Sequence, residues 1–265
     1  MNYTKSMQEL ISLKGKTAVI TGAAAGIGEA IAYRYAEAGC NLNLIDINKE
    51  KLEILKQDLS AFSISVTIHV YDMSKPEDID LFWTSLDSTI EILVNNVGIY
   101  PPHSFTTLKT ELWQKVMDTN LNSTFHMCQQ MIKRGLKTGG IIINIGSIEA
   151  VLPFADNLAH YDVSKAGVIA LTRALAKEYG KQGFRINAVL PGGIDTPGTR
   201  AIAERVWKKF DIGLIPSGIK YQSRLPLGRR GNPDEVACTA LFLASDMSSY
   251  IQGALIPVDG GFLSA

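Results

Sequence analysis

The stretch that decides the fold is Lys16 to Gly28, KTAVITGAAAGIG. Its first six residues are rich in β-branched side chains, which is typical of a short buried strand. Glycines follow at positions 22, 26 and 28, and the next segment, EAIAYRYAEAG, repeats apolar residues at helical spacing until Gly39. The stretch therefore predicts a strand, a glycine-rich turn and a helix.

This glycine turn, residues 22–28, has the chemistry of a phosphate-binding turn. Glycines let the backbone approach a pyrophosphate, whose charge is met by the free N–H groups and the positive dipole end of the following helix. The spacing is G-x-x-x-G-x-G instead of the standard G-x-G-x-x-G. The glycines alone therefore do not establish a dinucleotide site.

A carboxylate after the second strand supports a dinucleotide. Asn41 to Ile45 reads as a strand that ends at Asp46, 18 residues after Gly28. A carboxylate there can accept hydrogen bonds from an adenosine ribose diol and repels a 2′-phosphate, which favours NAD over NADP. Two alternatives stay open: Lys49 can weaken that repulsion, and Asp46 can instead cap the helix that follows it.

Strands and helices keep alternating along the rest of the chain, which predicts an α/β fold with one parallel sheet and right-handed crossovers. The further strand patterns are Ser63–Tyr71, Ile90–Val94, Gly140–Ile145, Arg185–Leu190 and Ala254–Val258. We expect one domain over residues 1–265. The pattern weakens between Thr199 and Arg230, which indicates a substrate-binding lid over about residues 196–230.

Composition excludes several classes of partner. The 265 residues are 46% apolar and 20% charged, and 26 basic residues balance 26 acidic ones. This balance gives no overall attraction to nucleic acid or to an anionic membrane. The three cysteines are far apart in apolar stretches and no metal-ligand cluster is present, which predicts reduced core cysteines and no metal site. Without a signal peptide or a membrane-spanning run, we expect a cytoplasmic protein.

A hydroxyl, a phenol and an ammonium are grouped between Ser147 and Lys165. Tyr161 and Lys165 are four residues apart, so in a helix they share one face. A nearby ammonium stabilises a phenolate and predicts a lowered pKa for Tyr161, as an acid/base catalyst requires. Ser147 can then donate a hydrogen bond to a substrate oxygen. An isolated pair at this spacing can equally be an ordinary amphipathic pair, so the chemistry depends on a cofactor site elsewhere.

Several motifs in register along about 250 residues together resemble the short-chain dehydrogenase/reductase family. They are Thr21-Gly22-x-x-x-Gly26-x-Gly28, Asn95-Asn96-x-Gly98, Asn120, Ser147, Tyr161-x-x-x-Lys165 and Pro191-Gly192. The resemblance implies a single Rossmann-type domain, a doubly wound sheet of about seven parallel strands flanked by helices, and a homotetramer. The chain departs from the family pattern at Val97, where alanine is usual, and at Gly146, where a second serine is common.

The resemblance also implies a role for each motif residue. Tyr161 would exchange a proton with the substrate, Lys165 would lower the phenol pKa and hold the nicotinamide ribose, Ser147 would orient the substrate oxygen, and Asn120 would hold a water in a proton relay. The implied nucleotide contacts are Gly22, Ala25, Gly26, Ile27, Gly28, Asp46, Asp72, Met73, Asn96, Gly98, Tyr161, Lys165, Ile194 and Thr196.

Substrate identity is the least constrained prediction. We expect an NAD-dependent oxidoreductase that interconverts a secondary alcohol, with a sugar or polyol preferred, and its ketone. A 3-oxoacyl-acyl-carrier-protein-type reductase and a non-catalytic dinucleotide-binding module remain alternatives. The pocket candidates are Tyr100, His103, Glu149, Val151, Leu152, Asn157, Trp207, Phe210 and Ile215. Glu149 can bind a polyol or be a solvated loop charge, and we expect His103 and His160 to be structural or surface residues.

Overall fold

Seven parallel strands form one sheet in the computed structural model, which describes residues 4–200 and 221–265. The strands are β1 Thr17–Thr21, β2 Asn41–Asp46, β3 Val66–Val70, β4 Ile92–Asn95, β5 Gly140–Ile145, β6 Phe184–Pro191 and β7 Leu255–Val258. Their order in the sheet is β3-β2-β1-β4-β5-β6-β7. The predicted α/β fold with a doubly wound parallel sheet is confirmed.

Helices cover both faces of this sheet, which explains why its central strands are buried and mostly apolar. The described helices are α1 Met7–Ile11, α2 Gly26–Glu37, α3 Lys49–Asp58, α4 Pro76–Thr84, α5 Thr110–Met117, α6 Ser123–Gly135, α7 Ala159–Tyr179 and α8 Pro233–Ala244. Helices α2, α3 and α8 pack on one face, and α4, α6 and α7 on the other. None of the helices described is both long and apolar enough to span a membrane.

The sequence pattern predicts most boundaries within a few residues. Strand β5 begins and ends at the predicted residues, and Asn232 caps α8 in a capping box with Glu235. Strand β3 is shorter than predicted, and α1 is an additional helix that the pattern did not indicate. Most of the predicted lid, residues 201–220, lies outside the described residues.

The strand order places the functional loops. The chain order reverses between β1 and β4, which are neighbours in the sheet but are separated in sequence by β2 and β3. In open α/β sheets the crevice at such a switch point, beyond the carboxyl ends of the strands, is where ligands bind. The turns that follow β1 and β4 carry the glycine turn and the Asn96-Val97-Gly98 motif.

Candidate active site

The glycine turn needs glycine for two different reasons. Gly22 and Gly26 both have φ of +63°, a left-handed conformation that side chains with a Cβ rarely adopt. A Cβ on Gly28 would lie 2.2 Å from the carbonyl oxygen of Gly22 and 2.6 Å from Nδ2 of Asn96. The N-cap residue Ala25 has no side-chain acceptor for the first turn of α2, and Ile27 packs against the core. The turn thus ends at a helix N-terminus, where the Gly26 N–H donates to Oε2 of Glu29 at 3.2 Å.

Asn96 joins the turn after β4 to the turn after β1. Its Nδ2 donates to the carbonyl oxygens of Thr21 and Gly22, both at 3.0 Å. In the other direction, Oγ1 of Thr21 accepts from the backbone N–H groups of Asn96 at 3.0 Å and Val97 at 3.2 Å. These four bonds fix the crevice between β1 and β4, because each motif satisfies the polar groups of the other.

Asp46 lies beside the glycine turn, at the end of β2. Its Oδ2 accepts from the Ala24 N–H at 3.1 Å, and its Oδ1 accepts from the Asn48 N–H at 2.9 Å. The alternative in which Asp46 caps α3 is wrong, because Asn48 is the N-cap and accepts from the Lys51 N–H. The carboxylate is partly exposed at the predicted nucleotide edge.

The remaining predicted nucleotide residues lie at the same edge of the sheet, in two groups. Asp72 and Met73 follow β3: the Asp72 carboxylate accepts from the Ser74 N–H and hydroxyl, and Met73 is buried in the core. On the other side, Cγ2 of Thr196 lies 3.3 Å from the place a Cβ on Gly26 would take. The Ile194 side chain is buried in the core with residues of α2 and α8, and its backbone forms an isolated β-bridge with Gly231.

Asn120 occupies a distorted helical segment. Residues Asp118–Asn122 form one π-helical turn between α5 and α6, and Asn120 is fully buried. Its Oδ1 accepts from the Ile99 N–H at 2.8 Å, while its Nδ2 donates to the Ile99 carbonyl at 2.9 Å and to Oγ of Ser164 at 3.0 Å. Asparagine is a poor helix residue, and here it combines a local distortion of the helix with a buried hydrogen-bonding role.

Ser147 and Tyr161 lie together at the carboxyl end of β5. Burial raises the pKa of the Tyr161 phenol, and the neighbouring Ser147 hydroxyl acts against this rise. The Tyr100 ring lies beside the Tyr161 ring, with 5.6 Å between centroids. Tyr100 therefore borders the site, as expected of a pocket residue.

Lys165 is buried and its Nζ donates to the Ile145 carbonyl at 2.8 Å. Burial lowers its pKa to about 8. The prediction that Lys165 lowers the pKa of Tyr161 is therefore wrong for the protein alone: the ammonium is bound to a backbone carbonyl, and desolvation of the phenol is the larger effect. A Cβ on Gly98 would lie 3.4 Å from Lys165 Nζ and 3.5 Å from Asn120 Oδ1, so the three residues meet.

Glu149 is part of the loop between β5 and α7, residues 147–158, which we name the serine loop. Its side chain is 4% exposed, so it is not a solvated charge. Its carboxylate oxygens accept from the backbone N–H groups of Phe154 at 2.9 Å and Ala155 at 3.2 Å. Burial raises the pKa of Glu149 to about 7. The carboxylate that sequence suggested for a polyol thus holds its own loop.

The other pocket candidates divide into rim and packing residues. Val151 is exposed, Leu152 packs against a small core cluster, and Asn157 has a left-handed φ of 66°. His103 donates its backbone N–H to the Asn157 carbonyl at 2.9 Å, and the His160 ring contacts the Pro101 carbonyl. Both histidines are structural, as expected. Trp207, Phe210 and Ile215 lie outside the described residues.

The structure adds residues that the sequence analysis missed. Ser164 accepts from Asn120 and donates its hydroxyl proton to the Tyr161 carbonyl at 2.7 Å, linking two candidate catalytic residues. Its position three residues after Tyr161, on the same helix face, was the available signal. The ring of Phe154, in the serine loop, lies 4.8 Å from the ring of Tyr221, measured between centroids, and no periodic pattern marks either residue.

Comparisons with known proteins identify related sequences over nearly the whole chain. A family model described as Enoyl-(Acyl carrier protein) reductase matches residues 22–263. The chain is 37% identical over 255 residues to the 3-oxoacyl-acyl-carrier-protein reductase FabG of Chlamydia muridarum (strain MoPn / Nigg), covering 94% of this chain and 98% of that protein. It is also 37% identical over 266 residues to the 2-dehydro-3-deoxy-D-gluconate 5-dehydrogenase of Bacillus subtilis (strain 168), covering 97% and 98%.

A solved structure extends the likeness to the whole fold. The short chain dehydrogenase from Burkholderia cenocepacia J2315, in complex with NADP, superposes with a TM-score of 0.84 at 26% identity. The match covers 95% of this chain and 99% of that one. The chain therefore belongs to the short-chain dehydrogenase/reductase family and is an NAD(P)-dependent oxidoreductase that acts on CH–OH groups.

Proposed function

We propose that this protein interconverts a secondary alcohol, with a sugar or polyol preferred, and its ketone, using NAD. The observation that carries the proposal is the meeting of Ser147 and Tyr161 at the carboxyl end of β5, next to Lys165 and Asn120. A protein that only bound a dinucleotide would need neither the serine nor the tyrosine.

The nucleotide site agrees with a dinucleotide. The first turn of α2 would offer backbone N–H groups to a pyrophosphate. The absence of a Cβ at Gly26 leaves room for the nucleotide between the glycine turn and Thr196, because a Cβ there would lie 3.3 Å from Cγ2 of Thr196. Gly22, Ala25, Gly26, Ile27 and Gly28 would hold the phosphates; Asp72, Met73, Asn96 and Gly98 the adenosine; and Lys165, Ile194 and Thr196 the nicotinamide riboside. The bound nicotinamide supplies hydride exchange with the substrate carbon.

We assign NAD because of Asp46. Its carboxylate lies against the Ala24 N–H, where a 2′-phosphate would place a second negative charge. The glycine turn itself contains three alanines, Ala23 to Ala25, and no basic residue that could neutralise such a phosphate. The NADP complex of the Burkholderia cenocepacia relative and the exposed Lys49 favour the opposite assignment, so both nucleotides belong in the test.

Proton transfer would follow from the positions of the side chains. Because burial raises the pKa of Tyr161, the phenol is protonated at neutral pH and can donate to the oxygen of a ketone during reduction. Ser147 would hold that oxygen. In oxidation the phenol must lose its proton, which Lys165 and Asn120, whose side chains meet beside Gly98, would relay towards solvent. Oxidation releases a proton, so higher pH should favour it.

The first experiment is a spectrophotometric assay of nicotinamide reduction. NAD or NADP would be offered with a panel of sugars, polyols and simple secondary alcohols. NAD-linked oxidation of a sugar or polyol is the expected result. Turnover with NADP alone would contradict the assignment of NAD, which is based on Asp46.

A second candidate is the reduction of 3-oxoacyl thioesters, which the relative from Chlamydia muridarum favours by its name. The same spectrophotometric assay tests this candidate by following the oxidation of NADH or NADPH in the presence of a 3-oxoacyl thioester. NADPH-linked reduction of the thioester, without oxidation of polyols, would replace the leading proposal.

We also propose that the protein is a homotetramer, as the family resemblance implies. Phe125 on α6 and Val163 on α7 are 42% and 49% exposed apolar residues, which a partner subunit could cover. Light scattering after size-exclusion chromatography measures the mass directly. A mass of one chain, 28.9 kDa, would contradict this proposal.

A further inference from the structure

Tyr221 lies at a junction of three parts of the chain that are distant in sequence. Its ring packs against Phe154 of the serine loop at 4.8 Å and against Phe262 near the carboxyl terminus at 4.9 Å, measured between centroids. Phe154 and Phe262 also contact each other at 4.7 Å. We name these three residues the aromatic cluster. Tyr221 is only 6% exposed.

The hydroxyl of Tyr221 has a specific partner outside this cluster. It accepts the backbone N–H of Gly193. Gly193 follows Pro191-Gly192 and directly precedes Ile194. Ile194 and Thr196 are the residues assigned to the nicotinamide. We name residues 192–196 the nicotinamide loop.

The nicotinamide loop is also held by nearby side chains and by backbone bonds: Oγ1 of Thr199 accepts from the Thr196 N–H, and Arg200 donates to the Asp195 carboxylate. The Gly192 N–H donates to the Val258 carbonyl at 3.0 Å, the Asp195 N–H to the Gly231 carbonyl at 2.9 Å, and the Gly231 N–H to the Gly193 carbonyl at 3.1 Å. The N–H of Gly193 is the one that donates to a side chain distant in sequence, that of Tyr221, among the bonds described for this loop. The conformation at Gly193 therefore depends on where Tyr221 is held.

Gly193 and Tyr221 also match in shape. A Cβ on Gly193 would lie 2.7 Å from three atoms of the Tyr221 ring and hydroxyl, closer than real Cβ contacts. Glycine at this position thus lets the tyrosine lie directly against the backbone of the loop. The phenol is used for its hydroxyl as well as for its ring, since a phenylalanine would fill the same space without accepting the N–H.

The serine loop is attached to the same junction. Glu149, two residues after Ser147, accepts the N–H of Phe154, and this bond places the Phe154 ring against Tyr221. On the far side, the Arg224 guanidinium lies 4.9 Å from the centre of the Phe262 ring and donates to the Phe262 carbonyl. Contacts therefore run without a break from the loop of Ser147 to the loop of Ile194.

We propose that Tyr221 is a positioning residue for hydride transfer: it holds the nicotinamide loop in its binding geometry and, through Phe154, in register with the serine loop. The inference rests on the proposed function, because it takes Ile194 and Thr196 as nicotinamide contacts. Tyr221 would act on the nicotinamide end of the nucleotide alone, because the adenosine end is held by the glycine turn and Asp46.

This restriction makes the inference testable by binding. ADP-ribose has the adenosine, the pyrophosphate and a ribose of NAD but lacks the nicotinamide. Calorimetric titrations of NAD and of ADP-ribose would be compared for the unmodified protein, Tyr221→Phe and Tyr35→Phe. Tyr35 is the matched control, because it is fully buried and its hydroxyl makes one bond to a backbone carbonyl, that of Ala240, between α2 and α8.

Tyr221→Phe should weaken NAD binding by roughly 3- to 10-fold, the usual effect of one lost hydrogen bond, while the affinity for ADP-ribose stays unchanged. Tyr35→Phe should leave the ratio of the two affinities unchanged even where it lowers the melting temperature. A Tyr221→Phe variant that loses both affinities equally, or neither, would overturn the inference. An unmodified protein that binds neither ligand would overturn the proposed function and this inference together.

A second variant tests the connection to the serine loop. Phe154→Leu removes the ring that supports Tyr221 but leaves the Gly193 bond possible. We expect a smaller shift of the NAD to ADP-ribose ratio in the same direction as Tyr221→Phe, together with a lower kcat. An unchanged ratio in Phe154→Leu would overturn the connection between the two loops.

Discussion

The two halves of the candidate site are held by different kinds of contact. In the nucleotide half, made of the glycine turn, Asp46 and Asn96, the hydrogen bonds join short motifs at the ends of adjacent strands, and at least one partner in each is a backbone group. The serine loop has bonds of the same type, from backbone N–H groups to the buried Glu149 carboxylate, but it also rests on aromatic rings from distant parts of the chain.

The nucleotide half is therefore fixed by bonds between the ends of neighbouring strands, whose spacing the sheet sets. The serine loop depends in addition on rings whose positions are set by distant parts of the chain. We therefore expect substitutions in the two halves to separate nucleotide binding from turnover.

The largest expected effect is that of Tyr161→Phe. Removing the proton-exchanging hydroxyl should lower kcat by roughly 10³-fold, within the range that general acid/base groups contribute. The affinity for the nucleotide should change little, because the glycine turn and Asp46 are untouched. Steady-state assays and calorimetric titration of NAD measure the two effects, and Tyr35→Phe is the control for loss of a buried hydroxyl.

Turnover that persists in Tyr161→Phe would contradict the proposed chemistry. An unmodified protein that binds the nucleotide without oxidising or reducing any substrate of the panel would favour a binding module on the same fold.

The next effect concerns Glu149 and pH. Burial raises the pKa of this carboxyl from 4.5 to about 7, so its protonated form favours folding. The stability it contributes is complete below about pH 4.5 and is lost as pH rises through 7. Relative to Glu149→Gln, the unmodified protein should lose as much as about 3 kcal/mol of unfolding free energy between those limits.

Denaturant titrations at several pH values measure this difference. Asp162, whose pKa burial raises to about 6, and the phenols of Tyr161 and Tyr221 also face Glu149, and all three remain in the variant. Glu178→Gln, at an exposed carboxyl on α7, is the matched control and should show no such trend. A pH-independent difference for Glu149→Gln would show that Glu149 titrates normally.

These contrasts follow what the sequence could and could not predict. The glycine turn, Asp46 and the Asn96 motif were recognisable because residue type and spacing carry their chemistry within a few positions. Asn120 was recognisable because asparagine is a poor helix residue inside a helical pattern. Strand β5 was predicted to the residue, since a continuous apolar run bounded by glycines leaves little choice.

The contacts of the serine loop were not predictable in the same way. Which groups Glu149 accepts from depends on how an irregular loop turns back on itself, and no periodicity records that. The bond between Gly193 and Tyr221 spans 28 residues, most of them in a segment with weak pattern. The sequence predicted a lowered pKa for Tyr161, whereas burial raises it. Desolvation depends on burial, which residue spacing does not report.

Asp46→Asn tests the nucleotide half on its own. The amide oxygen can still accept one backbone N–H, but the negative charge is removed, so the penalty against a 2′-phosphate should fall. We expect the ratio of kcat/KM for NAD to that for NADP to fall by roughly 10-fold, which corresponds to about 1.4 kcal/mol. Glu50→Gln, which removes an exposed charge in the first turn of α3, is the control.

An unchanged ratio in Asp46→Asn would remove Asp46 as the selector of the nucleotide. An equal fall of the NAD to NADP ratio of kcat/KM in Glu50→Gln would show that the overall negative charge at this edge of the sheet selects the nucleotide, instead of the Asp46 carboxylate.

The smallest effect comes from backbone conformation, where the two halves also differ. Left-handed positions in the nucleotide half are filled by Gly22 and Gly26, whereas Asn157 in the serine loop is the one described residue other than glycine with positive φ. Asparagine tolerates this conformation better than alanine because its short polar side chain can bond locally. Asn157→Ala should therefore cost about 1 kcal/mol of stability, and Asn157→Gly should cost less.

Thermal unfolding of the two variants measures this order directly. If strain at Asn157 matters to the site, Asn157→Ala should also raise KM for the substrate while leaving the affinity for NAD unchanged, because the His103 N–H bonds the Asn157 carbonyl at the rim of the pocket. Equal stabilities for the alanine and glycine variants would mean that the serine loop relaxes at this position. The loop would then owe its shape to Glu149 and the aromatic cluster alone.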